Sequence, residues 1–211
     1  KNSIINSLVG LASYVILLIG PLALSKVVAS LGSEILGIQK TFMDTVALLN
    51  IVELGISFGV IYKLYKPIAE NDIEKIAILL NFYKNTFKII ALILTSLGLL
   101  TAVIMPQLVP EHDASKFSDN WLVWMFLLYL ADTLATYLFG HKRAMLIADQ
   151  RNYLVSICRT SCQVLMYIFQ LISVCHFRSF ELYVVSKLFC TLLDSVFIHV
   201  IYNLKYKNID L

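Results

Sequence analysis

The sequence predicts an all-α polytopic membrane protein, a bundle of six transmembrane helices, and three observations carry that reading. Of its 211 residues 59% are hydrophobic and only 15% are charged, against about 25% charged in an ordinary soluble domain. Mean hydropathy is +0.78, too apolar for a single solvated globule, whose surface needs far more polar area. The apolar residues also fall in long continuous runs, near the ~20 residues a bilayer-spanning helix takes, not in the alternation of a transmembrane β-barrel. A soluble enzyme, a nucleic-acid-binding module and a secreted disulfide scaffold are excluded on these grounds.

The first run covers 4–29. Only small residues and Pro21 interrupt it, and Pro21 removes a backbone hydrogen bond and predicts a kink. A short connection, 30–34, leads to a second run at 36–62, where Gly55 and Gly59 stand four apart, a spacing that allows close helix contact. After the polar stretch 63–75 comes a third run, 83–105. Asn71-Asp-Ile-Glu-Lys75 reads as a helix N-terminus, with acids facing the positive end of the dipole. Ile76, Leu79, Leu80 and Tyr83 continue as an i, i+3, i+4, i+7 stripe. Either a short surface helix runs into the third span or that span begins earlier. The segment 106–120 is polar and acidic, and runs at 121–139, 153–175 and 180–204 complete the six, with Pro106, Pro110, Gly140 and Asp149 as breakers and turn formers in the gaps.

Orientation follows from the cations. With both termini inside, eleven lie on the cytoplasmic side: Lys1, Lys63, Lys66, Lys75, Lys84, Lys88, Lys142, Arg143, Arg151, Lys205 and Lys207. Four lie at or near the outer side: Lys26, Lys40, Lys116 and Arg178. Trp121 and Trp124 then sit at the outer interface. Cys158, Cys162, Cys175 and Cys190 all fall in apolar stretches and read as small buried hydrophobes.

The informative residues are ionisable groups far from either interface, where each costs about 2.5–3.5 kcal/mol on insertion scales. These are Glu53, Asp132, Arg159, Lys187 and Asp194, and Asp44 stands one turn deeper than Lys40 on the same face. On the fifth span Arg159, Gln163 and Gln170 recur at i, i+4, i+11, with Tyr167 between. On the sixth, Lys187, Thr191 and Asp194 fall at i, i+4, i+7. Asp132, Thr136 and Gly140 stack on the fourth, and Asn6, Gly10 and Ser13 give the first a weakly polar face. Helices with one polar stripe each can surround a hydrated cavity, and the same stripes can also pair off between helices as glue. His112, His141, His176 and His199 are dispersed. No Walker motif and no nucleophile–base pair is present, so the expectation is a protein that is not an enzyme and has no cofactor or metal.

Several segments resemble one family. They are Leu31-Gly-Ser-Glu-Ile-Leu-Gly37, Glu53-Leu-Gly-Ile56, Leu64-Tyr-Lys-Pro-Ile-Ala-Glu-Asn-Asp-Ile-Glu-Lys-Ile76 and Leu146-Ile-Ala-Asp-Gln-Arg-Asn-Tyr153. In their order and spacing the chain resembles the oligosaccharide-lipid flippases of the polysaccharide biosynthesis family (Wzx-like), within the multidrug/oligosaccharidyl-lipid/polysaccharide exporter (MOP) superfamily. The resemblance implies two six-helix lobes around a central cavity, with 1–211 as the N-terminal lobe and the second lobe as its partner. It implies flipping of undecaprenyl-diphosphate-linked oligosaccharide across the bacterial cytoplasmic membrane for surface polysaccharide synthesis, with a polysaccharide polymerase as a further partner and no nucleic acid. In that setting, depth and spacing assign Arg159 and Lys187 to the diphosphate or acidic sugars and Gln163 and Gln170 to hydroxyls. Asp132, Asp194, Glu53 and Asp44 are assigned to ion or proton coupling or to charge pairing. Rival readings are a cation-coupled multidrug exporter or a peptidoglycan-precursor flippase of the same superfamily, and a non-transporting membrane scaffold.

Overall fold

A computed structural model describes the backbone of residues 2–53, 56–109, 117–137 and 139–206, and the side chains of these except 2–8, 12, 52, 53 and 57. Among the described residues eight α-helices follow one another: α1 (Asn2–Ala29), α2 (Ser33–Leu49), α3 (Ile56–Ala69), α4 (Ile73–Leu108), α5 (Asp119–Tyr137), α6 (Gly140–Ala148), α7 (Asn152–Cys175) and α8 (Phe180–Lys205). A 3₁₀ turn, Asn50–Glu53, follows α2, and there is no strand among the described residues. The all-α architecture is that of the sequence reading. The span count differs from it. Among the described residues four helices are long and apolar enough to cross a membrane, namely α1 (through Val9–Ala29), α4, α7 and α8, and a fifth span forms if α5 and α6 count as one segment bent by 44°.

The predicted second span, 36–62, is not one helix. α2 and α3 have 17 and 14 residues, each short of the ~20 needed to cross hydrocarbon alone. The break begins at Asn50, a poor helix former followed by β-branched Ile51 and Val52. Its side-chain oxygen accepts a hydrogen bond from the Tyr137 hydroxyl at 3.2 Å, tying the break to α5. The segment after Gly140, read as a loop, is the nine-residue helix α6. The stretch from Ile73 joins the third span in one 36-residue helix, about 54 Å long at 1.5 Å per residue. Asp72 caps it, accepting the Lys75 N–H at 3.1 Å.

Backbone geometry ends two helices in the same way. Asn71 and Gln150 have φ of 53° and 55°. After α3 the Asp72 N–H reaches the Pro67 carbonyl at 2.9 Å, and after α6 the Arg151 N–H reaches that of Leu146 at 2.9 Å. Both are Schellman closures, satisfying carbonyls that a helix end leaves orphaned.

α7 packs between α1 and α8, α5 packs between α4 and α8, and α2 touches α1, α4 and α5. At one end of the bundle an apolar core gathers Val28, Phe42, Met105, Phe126 and Val184. At the other, Leu64, Leu80, Phe87, Met145 and Tyr202 form a second core. Helix approach is closest where side chains vanish. A Cβ at Gly20 would collide with the Tyr167 ring, and one at Gly98 with Leu130. Gly59, by contrast, has open space around it, so it does not serve the close contact its spacing suggested, and Gly55 lies outside the described residues. Outward faces remain apolar: Leu92, Leu99, Leu100 and Val103 on α4 are all exposed, as expected of a surface meeting lipid tails.

Candidate functional site

Five helices, α1, α2, α5, α7 and α8, surround a cavity of about 630 Å³. Pro21 and Ser25 line it from α1, Gln39, Lys40 and Asp44 from α2, Tyr129 from α5, Gln163, Tyr167 and Gln170 from α7, and Tyr183 and Lys187 from α8. The volume lies in the range of small-molecule sites. The walls are predominantly apolar, with a small number of polar side chains among them.

The local cause is helical periodicity. On α2, Ile38, Phe42 and Val46 are buried and anchor the helix, which brings the neighbouring Gln39 to the rim of the apolar core. Its Nε2 donates to the Tyr183 hydroxyl at 2.9 Å. On α7, Gln163 and Gln170 are seven residues apart, two turns, and so share a face. The side-chain oxygens Oε1 of Gln39, Gln163 and Gln170 are each buried without a hydrogen-bond partner. An unsatisfied buried polar group costs about 1–3 kcal/mol. With the Tyr129 hydroxyl, also buried without a partner, four such groups on the walls of one cavity favour water or a ligand hydroxyl there over an empty, dry space.

The charges behave differently from the amides. Lys187 Nζ meets Asp132 Oδ2 at 3.0 Å and lies 4.5 Å from the centre of the Tyr129 ring. The other Asp132 oxygen accepts the Thr191 hydroxyl at 2.5 Å. Asp194 is met by Arg143 of α6 at 2.5 Å. Two ion pairs thus join α8 to α5 and to α6, and further polar contacts do the same work elsewhere. Thr160 on α7 donates to Ser13 on α1 at 2.7 Å, and Lys142 on α6 donates to Asn203 on α8 at 3.0 Å.

Of the residues singled out from sequence, Gln163, Gln170, Lys187 and Asp44 come together around the cavity. Arg159 does not join them. It lines a second cavity of about 300 Å³ with Arg143. Asp132 and Asp194 act as counter-charges to Lys187 and Arg143. Lys40 and Asp44 both line the larger cavity, with no ion pair between them among the described residues. The Glu53 side chain lies outside the described residues.

Sequence reasoning missed Gln39, Tyr129, Tyr183 and Arg143. Arg143 looked like a loop cation, yet Ala144, Met145 and Ala148 are buried, a helical stripe that the sequence carried. No protein family, no curated protein and no solved structure matches this chain.

Proposed function

We propose that this chain forms one lobe of a multi-pass transporter of the bacterial cytoplasmic membrane. In this reading it moves the polar head of an undecaprenyl-diphosphate-linked oligosaccharide between leaflets by alternating access. The physical task matches the architecture. A sugar–diphosphate head cannot dissolve in hydrocarbon, whereas a polyprenyl tail can stay there, so a wet chamber inside a lipid-facing bundle is what the job requires.

The observation that carries the reading is the set of three unpartnered amide oxygens, Gln39, Gln163 and Gln170, on one cavity. Amides and phenols are the partners that sugar hydroxyls take, and they impose no net charge. Lys187 is held by Asp132, so the chamber suits the saccharide better than a bare polyanion. A scaffold reading draws on the same ion pairs as interhelical glue, and it leaves the amide oxygens unexplained.

The test is labelling with a membrane-impermeant thiol reagent. Cysteines introduced at Gln163 and Gln170, in a background with the four native cysteines replaced by alanine, are expected to label at rates near those of an aqueous loop. Cysteines at Ile168 and Leu171, which are exposed on the outside of the bundle, are expected to stay protected by lipid. Equal protection at all four positions overturns the chamber. Export of labelled polysaccharide by the intact transporter, lost in Gln163→Leu/Gln170→Leu and retained in Ile168→Leu, tests the substrate assignment.

A further inference from the structure

The bend between α5 and α6 opens a cavity distinct from the amide-lined chamber, about 300 Å³ in volume. Arg143 and Arg159 line it, together with Thr136, Tyr137 and Gly140. Gly140 is the first residue of α6, so the N-terminal turn of that nine-residue helix borders the same space, with the Lys142 and Arg143 N–H groups bonded to the Phe139 carbonyl.

The two arginines are in different states. Arg143 gives one nitrogen, Nη2, to Asp194, while its Nε is buried with no partner. Arg159 is exposed to the cavity and makes no hydrogen bond or ion pair with any described residue. Among the described residues two guanidiniums stand there against one carboxylate. Phe87 and Tyr137 border the same space and also border a smaller cavity lined by Lys84, Lys88 and His141, which adds positive potential from the far side of those two rings.

We infer that the Arg143–Arg159 cavity binds a phosphate-type oxyanion. Arg159, which makes no bond to a described residue, supplies a fork of donors, and Arg143, held by Asp194, places a second guanidinium on the same cavity. A guanidinium presents planar donors that match two phosphate oxygens at once. The chemistry is shared by a free phosphate or pyrophosphate and by the phosphate of a lipid head group. The site stands on its own geometry and does not depend on the chamber holding saccharide.

The experiment uses the full chain in nanodiscs. In zwitterionic phosphatidylcholine discs, inorganic pyrophosphate is titrated and the rise in Tm is followed. In discs containing phosphatidic acid, the lipid retained by the protein is counted by native mass spectrometry. One of the two probes is expected to bind wild type, with affinity about tenfold weaker in Arg159→Gln, the loss expected when a charge-assisted contact goes, and partly restored in Arg159→Lys. A response to pyrophosphate identifies a soluble anion as ligand, and phosphatidic acid retained without such a response identifies a lipid head group. Lys205→Gln, on the exposed end of α8, controls for general charge and is expected to bind as wild type does. Binding of neither probe, equal binding in Arg159→Gln, or an equal loss in Lys205→Gln overturns the site. Arg159 makes no hydrogen bond or ion pair with a described residue, so loss of fold does not stand in for loss of binding: Arg159→Gln is expected to keep the wild-type Tm without ligand, and a collapsed Tm makes Arg159 structural and overturns the assignment. Cysteine labelling at Gln163 and Gln170 reads the chamber separately, so the two proposals fail independently.

Discussion

The Lys187–Asp132 pair decides whether a charge in this bundle is glue, and its coupling can be measured. The salt bridge is 3.0 Å long, with side-chain exposures of 29% for Lys187 and 10% for Asp132. Asp132 also accepts from Thr191 at 2.5 Å. Breaking a fully buried pair by deleting one partner costs about 3–5 kcal/mol, because a lone charge is left in a poor solvent. Lys187 faces the cavity and keeps some access to water, which lowers that figure to about 2–3 kcal/mol for Lys187→Met. Asp132→Asn keeps one of the two acceptor oxygens and turns the other into a donor, and it is expected to cost about 1–2 kcal/mol. With both charges gone, Lys187→Met/Asp132→Asn leaves no unpaired ion and is expected to lie within about 1 kcal/mol of wild type. The four proteins form a double-mutant cycle with a coupling energy of about 2–5 kcal/mol. Reversible unfolding in mixed micelles, followed by helicity, measures each corner. Additive single losses, with coupling below about 0.5 kcal/mol, refute the reasoning and make Lys187 a solvated cavity charge instead. The charge-swapped Lys187→Asp/Asp132→Lys protein adds a functional arm: restored stability without restored export assigns Lys187 to the cargo as well.

Two further outcomes follow from packing and capping. Gly20→Val is expected to lower stability by about 1–3 kcal/mol through overlap with the Tyr167 ring, and the loss is expected to shrink when Tyr167→Ala makes room; equal losses in both backgrounds in the same micelle assay would falsify the contact. The Lys75 side chain, at 2.6 Å, and the Lys75 N–H hold the Asp72 carboxyl below its ordinary value of 3.8. A depressed carboxylate stabilises the folded state above that value and stops doing so as pH falls through its lower folded pKa. Asp72→Ala is therefore expected to melt earlier than wild type at pH 7, with the gap closing in acid below about pH 3.8; a gap that persists there refutes the capping account.

What could be read in advance was governed by local periodicity. Gln163 and Gln170 share a face because their separation is two helical turns, and Asp72 caps because an acid followed by Glu74 and an apolar stripe is a local signal. Arg159 shows where that logic stops. It belongs to the same stripe as Gln163, one turn or about 6 Å away along the helix, yet it lines the second cavity while Gln163 lines the first. Which partner each charge takes was equally out of reach. Lys187 and Asp194 share a face of α8, yet they turn to Asp132 on α5 and Arg143 on α6, a choice made by which helices lie alongside.

By itself the amino-acid order determined the solvent and the kind of element. Long apolar runs demand lipid and self-satisfied backbone, hence helices, whatever their later arrangement. Helix faces, caps and the sparseness of polar groups also followed, because each depends on residues within a few turns. Tertiary structure alone decided that 36–62 breaks into two helices, that α5 and α6 bend around two arginines, and that the amides of α2 and α7 meet across one cavity. Those outcomes come from contacts between residues up to 147 positions apart, such as Thr160 with Ser13, and no local pattern encodes which distant helix will be the neighbour.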